Sequence, residues 1–224
     1  METKITENSF KFGTNKYFRG NSINIEFCSY GDKHDPIGAR AYIDVENKVQ
    51  SEHLKGMVKT NTVAEIDWNG SKKSEVEAQG VLKYFVVGVK AALTGDYEKA
   101  KTAKLKLINF AIDAGPLKGV LNDEADGARK YLAREGKDGR IASEIWTLVD
   151  GKLADHFKSA TTFSVGVNAA GNGIDVTASG GKEGSQTVTL SKGTTFAYKL
   201  HKVKEWNDGK TKIKDLEADW KGMD

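Results

Sequence analysis

Alternation of apolar and polar side chains, the two-residue period of a half-buried strand, recurs along most of this chain. In SINIEFCSY, Ile23, Ile25 and Phe27 alternate with Ser22, Asn24 and Glu26, which predicts a core strand over 22–30. GDKHDPIG then supplies turn residues, and ARAYIDV resumes the alternation with Ala41, Ile43 and Val45 on one side. TNTVAEIDW reads as a third strand ahead of Asn69-Gly70, a dipeptide that favours hairpin turns.

The stretch VLKYFVVGVKAALTG fits a buried helix or a long strand. Val81, Phe85, Val87, Val89, Ala91 and Leu93 share one parity and the composition is β-like, so the strand is preferred. After the tip TGDYEKAK the segment AKLKL alternates through Leu105 and Leu107, and the pair reads as a long hairpin with lysines on one face. GPLKGVLNDEADGARKYLAR predicts a helix over 116–134, with Pro116 early, Leu117, Val120 and Leu121 starting an apolar face, Gly127 a weak point and Gly136 a stop. In IASEIWTLVDGKLADHF the Asp150-Gly151 pair predicts two strands, Ser143 being a cap in the helical alternative.

A second hairpin follows in TTFSVGVNAAGNGIDVTASGG. Phe163, Val165, Val167 and Ala169 face one way, Gly171-Asn172-Gly173 reverses the chain, and Ile174, Val176 and Ala178 return. The other parity is small or polar: Ser164, Gly166, Asn168, Asp175 and Thr177. VTL and TTFAYKL add strands, and WNDGKTKIKDLEADWKGMD closes the chain as a polar tail with apolar anchors at Ile213, Leu216 and Trp220. The expected fold is α+β, a twisted, mainly antiparallel sheet with a few peripheral helices, in one domain over 1–205 followed by a tail over 206–224.

With 224 residues, 38% of them hydrophobic and 29% charged, the chain builds a core without disulfides, and Cys28 is its single cysteine. The opening METKITENS has no apolar export signal, which points to a cytoplasmic protein. No stretch reaches the about 20 apolar residues of a membrane helix, although strands of about 9–11 residues are not excluded. His34, His53, His156 and His201 are scattered without metal-ligand spacing, Cys28 stands outside any nucleophile motif, and GNGID reads as a hairpin turn rather than a calcium loop. The expectation is no enzyme, no metal and no cofactor. A net charge of +3 and the lysines Lys99, Lys101, Lys104 and Lys106 lack any accompanying nucleic-acid signature, so no nucleic-acid partner is expected.

An apolar-out, polar-in strand crosses a bilayer only inside a closed barrel, and four strands per chain would need many copies to close one. An ordinary antiparallel sheet with one wet face produces the same alternation. The order of segments from Glu75 to Leu200 resembles the pore-forming domain of gasdermins: first amphipathic hairpin, helical stretch, the strand GRIASEIWTLVDGK, second hairpin, closing strand. Val188-Thr189-Leu190 with Gly193-Thr194-Thr195-Phe196-Ala197-Tyr198 is the most specific part of the likeness.

The chain's size also resembles bacterial gasdermins that carry a short inhibitory C-terminal peptide. Cys28 departs from the lipidated cysteine those proteins have near the N-terminus, and Lys11, Lys16 and Arg19 around Phe12, Tyr17 and Phe18 depart from the basic amphipathic first helix. The resemblance implies a cytoplasmic protein released by a protease, binding anionic membrane lipids and assembling as a homo-oligomeric pore. Val81, Phe85, Val87, Val89, Leu93, Leu105, Leu107, Phe163, Val165, Val167, Ile174 and Val176 would then insert, the four lysines would contact lipid, and Ile213, Leu216 and Trp220 would pin the tail. The alternative is a soluble β-rich assembly or ligand-binding module with no membrane activity.

Overall fold

A computed structural model describes residues 3–6, 8–34, 41–65, 105–171, 173–180 and 184–223. Two twelve-residue strands, β8 (Gly139–Asp150) and β12 (Thr195–Trp206), pair antiparallel at the centre of the main sheet. Each splits its outer edge between two partners. Beyond β8, residues Tyr30–Asp32 of β4 (Ser29–His34) pair with its first residues and β7 (Leu105–Ala111) with the rest. β5 (Tyr42–Lys48) extends β4, and β6 (Lys59–Glu65) extends β7. Beyond β12 lie a ribbon of β1 (Thr3–Ile5), β2 (Ser9–Phe12) and β3 (Asn15–Phe18), and then β13 (Ile213–Asp219). A smaller sheet joins β9 (Thr162–Val167), β10 (Ile174–Ser179) and β11 (Ser185–Leu190) in the order β11-β10-β9. Every pairing among the described residues is antiparallel, in line with the mainly antiparallel sheet expected from the sequence pattern.

Both faces of the main sheet are covered, which explains why β8 buries residues of both parities. On one face sit α1 (Ala114–Asp123), α2 (Asp126–Glu135) and α3 (Gly151–Ser159). Leu117, Val120 and Leu121 of α1 and Ala128, Tyr131 and Leu132 of α2, each set spaced i, i+3, i+4, turn into the core. On the other face the ribbon folds over Trp146, whose ring lies 5.1 Å from Phe10, 5.2 Å from Phe12 and 5.5 Å from Tyr17. Phe10 also meets Phe196 edge-on, and the Arg19 guanidinium lies 4.4 Å from the Phe196 ring centre.

Several local expectations are corrected. Residues 22–30 are not one strand: a 3-10 turn, Ser22–Asn24, is followed by Cys28 in a left-handed conformation (φ 58°) before β4 begins. Their alternation arises because this connector is bonded to the heads of the two central strands. Cys28 N donates to Ala142 O, Thr195 Oγ1 to Ile25 O and Ser22 Oγ to Phe196 O. Gly31–His34, read as turn, continues β4. The helix over 116–134 is two helices, because Glu124 and Ala125 leave helical geometry before α2 starts. Gly127 therefore lies in the first turn of α2, while Gly136 (φ 58°) does end it. Asp150 does not begin a hairpin turn but caps α3, accepting a bond from Leu153 N at 2.9 Å. Ser143 caps no helix and lies inside β8.

Candidate functional site in the C-terminal strand and the second hairpin

Residues after Trp206 form structure of their own. The turn between β12 and β13 is exposed over 208–212 and closed by Asn207, whose N–H donates to Lys212 O and whose Oδ1 accepts from Lys212 N. Gly209 (φ 80°) and Lys210 (φ 54°) are the left-handed residues of this reversal, the first at no steric cost. β13 then runs back along the edge of β12 from Trp206↔Ile213 to Leu200↔Asp219. Lys204–Asp215 (2.8 Å), Lys202–Glu217 (2.9 Å) and Lys214–Glu205 (3.1 Å) link the strands through exposed or half-buried ion pairs, each of small net value.

The two ends of β13 are fixed more firmly. At its start, Asn122 of α1 meets the Ile213 backbone with both halves of its amide: Nδ2 donates to Ile213 O at 3.0 Å, and Oδ1 accepts from Ile213 N at 2.8 Å. At its end, Asp219 Oδ2 accepts from Lys33 Nζ at 2.8 Å and from Arg140 Nε at 2.9 Å. All three side chains are buried. Burial by itself would raise the Asp219 carboxyl, but the bonds from Lys33 and Arg140 outweigh it and hold the group at about 2. Lys33 Nζ also donates to Lys221 O at 2.7 Å, and Lys221 N to Asp219 Oδ1 at 3.2 Å.

Of the three expected anchors, Ile213 and Leu216 are buried, while Trp220 is 40% exposed with its ring 4.7 Å from Lys199 Nζ. Met223 is buried as well. Lys33, Arg140 and Asn122 went unnoticed in the sequence, since each acts across 79 or more positions and leaves no local signal.

The second hairpin pairs its apolar residues directly: Val167 faces Ile174, Val165 faces Val176, and Phe163 faces Ala178. The intervening pairs, Gly166 with Asp175 and Ser164 with Thr177, put small and polar groups on the opposite face. Ile174, Val176 and Ala178 are buried, whereas on edge strand β9 Phe163 is 45% and Val167 36% exposed. The hairpin is held to α3 by Phe163 against Phe157 (6.1 Å) and by His156 Nε2 donating to Ala178 O (3.0 Å).

Of the first hairpin, Val81, Phe85, Val87, Val89, Leu93, Lys99, Lys101 and Lys104 lie outside the described residues. Leu105 opens β7, and Leu107 is buried opposite Leu148. Lys106 pairs with Asp155 of α3. A different cationic row stands on the N-terminal ribbon, where Lys4 faces Lys11 and Lys11 faces Lys16 across adjacent strands. By strand alternation the row points away from Phe10, Phe12 and Tyr17, and like charges so placed repel one another.

The histidines have separate environments. His53 Nδ1 meets Glu124 at 2.8 Å beside a polar cavity of about 330 Å³, and His34 lies between Asp32 and Asp44. His201 is pushed down to about 4 by burial and by Lys199, and its Nδ1 shares a hydrogen bond of 2.6 Å with Ser143 Oγ. Ser143 is fully buried, which leaves its hydroxyl no route to a substrate. Among the described residues no group of three or more His, Cys, Asp or Glu side chains is placed to hold a metal ion. No helix among them is long and apolar enough to cross a membrane.

The chain matches no protein-family model, no curated protein and no solved structure.

Proposed function

We propose that this chain is a gasdermin-like pore-forming protein, cytoplasmic at rest, in which β13 acts as an inhibitory strand until a protease cuts the turn that precedes it. The released form binds anionic membrane lipids, and copies of it assemble with their hairpins as a β-barrel, without chemistry on a substrate. The observation that carries this reading is the register of β9 and β10, which sorts apolar and polar side chains onto opposite faces of one hairpin. That is the partition required of a barrel strand between lipid and lumen. Two further features support it. β13 occupies an edge of β12, and vacating that edge would free backbone groups of residues 200–206 to pair with a neighbouring chain. The row of Lys4, Lys11 and Lys16 is the kind of surface that anionic head groups attract.

The six-residue strands β9 and β10 are shorter than the about 9–11 residues a membrane strand needs, so insertion demands that both lengthen. Lengthening β9 toward its N-terminus consumes the end of α3 and breaks the Phe157 and His156 contacts. A test follows from the turn: a specific protease site is inserted between Asn207 and Lys212 of the full chain, where a cut leaves β12 whole. Dye release is measured from phosphatidylserine-containing and neutral vesicles before and after cleavage. Release only by the cut chain, and only from anionic vesicles, is expected. A cut chain that has shed β13, remains folded and leaves every vesicle intact would overturn the proposal in favour of a lipid-independent assembly or ligand-binding module.

A further inference from the structure

The ten-residue helix α2 begins without a cap. Asp, Asn, Ser and Thr are the residue types that satisfy the first N–H groups of a helix, but the position before Asp126 is Ala125, and no side chain takes that role. The first backbone bond of the helix runs from Arg129 N to Ala125 O. The N–H groups of Asp126, Gly127 and Ala128 are therefore left without an acceptor among the described residues. All three residues line the polar cavity of about 330 Å³ beside His53. A Cβ built on Gly127 meets no atom within 4 Å, so the backbone there is open to close approach.

A second donor in the same cavity lacks a partner. Tyr30 of β4 lines it and is 8% exposed, yet its hydroxyl makes no hydrogen bond among the described residues. Burial and the Glu46 carboxylate push its pKa up, so the hydroxyl keeps its proton and remains a donor. The charges of the lining decide which acceptor fits. Of its two carboxylates, Glu124 is matched by His53 at 2.8 Å, and Asp126 turns to Lys130 at 2.6 Å and to Arg129. Their presence still disfavours a doubly charged ligand, whereas the partial positive charge of a helix N-terminus suffices for a single one. The cavity is at the small end of ligand pockets, and its walls include Asn47 and Gln50, which suits a small polar molecule.

We propose that this cavity binds a small polar carboxylic acid as its singly charged carboxylate, whose oxygens accept from the first-turn N–H groups of α2 and from the Tyr30 hydroxyl. The ligand supplies the helix cap that Ala125 cannot. The site does not depend on the pore reading and stands or falls by itself.

The probe is acetate, titrated at neutral pH and constant ionic strength into the ¹⁵N-labelled full chain while the amide signals of Gly127 and Ala128 are followed by NMR. A saturable shift of both is expected. Tyr30→Phe removes only the hydroxyl and should weaken binding by about tenfold or more, the range for a hydrogen bond to a charged group, without lowering the midpoint of urea unfolding. Gly127→Glu puts a like charge at the site while suiting the first turn of a helix, so it should abolish saturation in a protein at least as stable as the parent. It keeps the test decisive if Tyr30→Phe does not fold. Inorganic phosphate forms a second arm and should bind more weakly; tighter binding of phosphate would overturn the assignment to a carboxylate. Amide signals that acetate does not saturate, or an acetate affinity unchanged in either variant, would overturn the site.

Discussion

Replacing Asp219 by asparagine keeps the outline of the side chain and removes the carboxylate charge that Lys33 and Arg140 share. Deleting one partner of a buried ion pair costs about 3–5 kcal/mol, because the remaining charge stays out of water. The three side chains here are 2%, 7% and 2% exposed, so solvent screens the cluster little. A second figure comes from the carboxyl itself, held at about 2 against an ordinary 3.8. That depression corresponds to about 2 kcal/mol at neutral pH. The smaller figure compares the charged with the protonated carboxyl, while the larger includes the cost to Lys33 and Arg140 of losing that carboxylate. An amide oxygen still accepts one hydrogen bond, so a loss of about 2–3 kcal/mol is expected.

The assay is urea unfolding of both proteins from about pH 2 to about pH 8. The folded-state pKa of Asp219 is depressed, so its contribution is present above the unfolded value and is lost as pH falls through about 2. The stability difference between parent and variant should therefore stay level from about pH 8 to about pH 5 and shrink below about pH 4. A difference under about 0.5 kcal/mol at neutral pH, the size of an exposed pair, would refute the reasoning, as would a gap that persists unchanged in acid.

Two other expectations concern the fold. Gly31 sits at the bulge between β4 and β5, where a built Cβ would lie 1.8 Å from Asp44 O, so Gly31→Ala should cost more than about 3 kcal/mol in a urea titration; an unchanged midpoint would mean that the bulge adjusts freely. Cys28 is fully buried and burial pushes its thiol pKa up, so a thiol reagent at mildly alkaline pH should leave the native protein unlabelled and react completely in urea; rapid native labelling would contradict this packing.

Where the alternation of side chains coincided with regular hydrogen bonding, the sequence was legible. The hairpin around Phe163–Ala178, strands at VTL and TTFAYKL, which the structure extends to Ser185–Leu190 and Thr195–Trp206, and the apolar faces beginning at Leu117 and ending at Gly136 follow from period, parity and stop residues. It misled where burial had another origin. Ile25 and Phe27 alternate with polar neighbours because the connector is held under the ends of β8 and β12, and a left-handed Cys28 breaks the strand that the pattern implies. Asp150-Gly151 fits a hairpin turn and a helix cap equally, and the choice fell to the cap because α3 buries Ala154 and Phe157 against the sheet.

Chain composition and local pattern by themselves determined an antiparallel α+β protein with an amphipathic second hairpin and a polar C-terminal segment. Only the tertiary structure decided that this segment is a strand, that Asn122 and Asp219 fasten its two ends, and that Lys33 and Arg140 share one carboxylate oxygen. The reason is one of range. Periodicity records which face of a nearby element is dry, whereas an ion cluster formed by residues 33, 140 and 219 exists only after the sheet has brought three distant segments to one point.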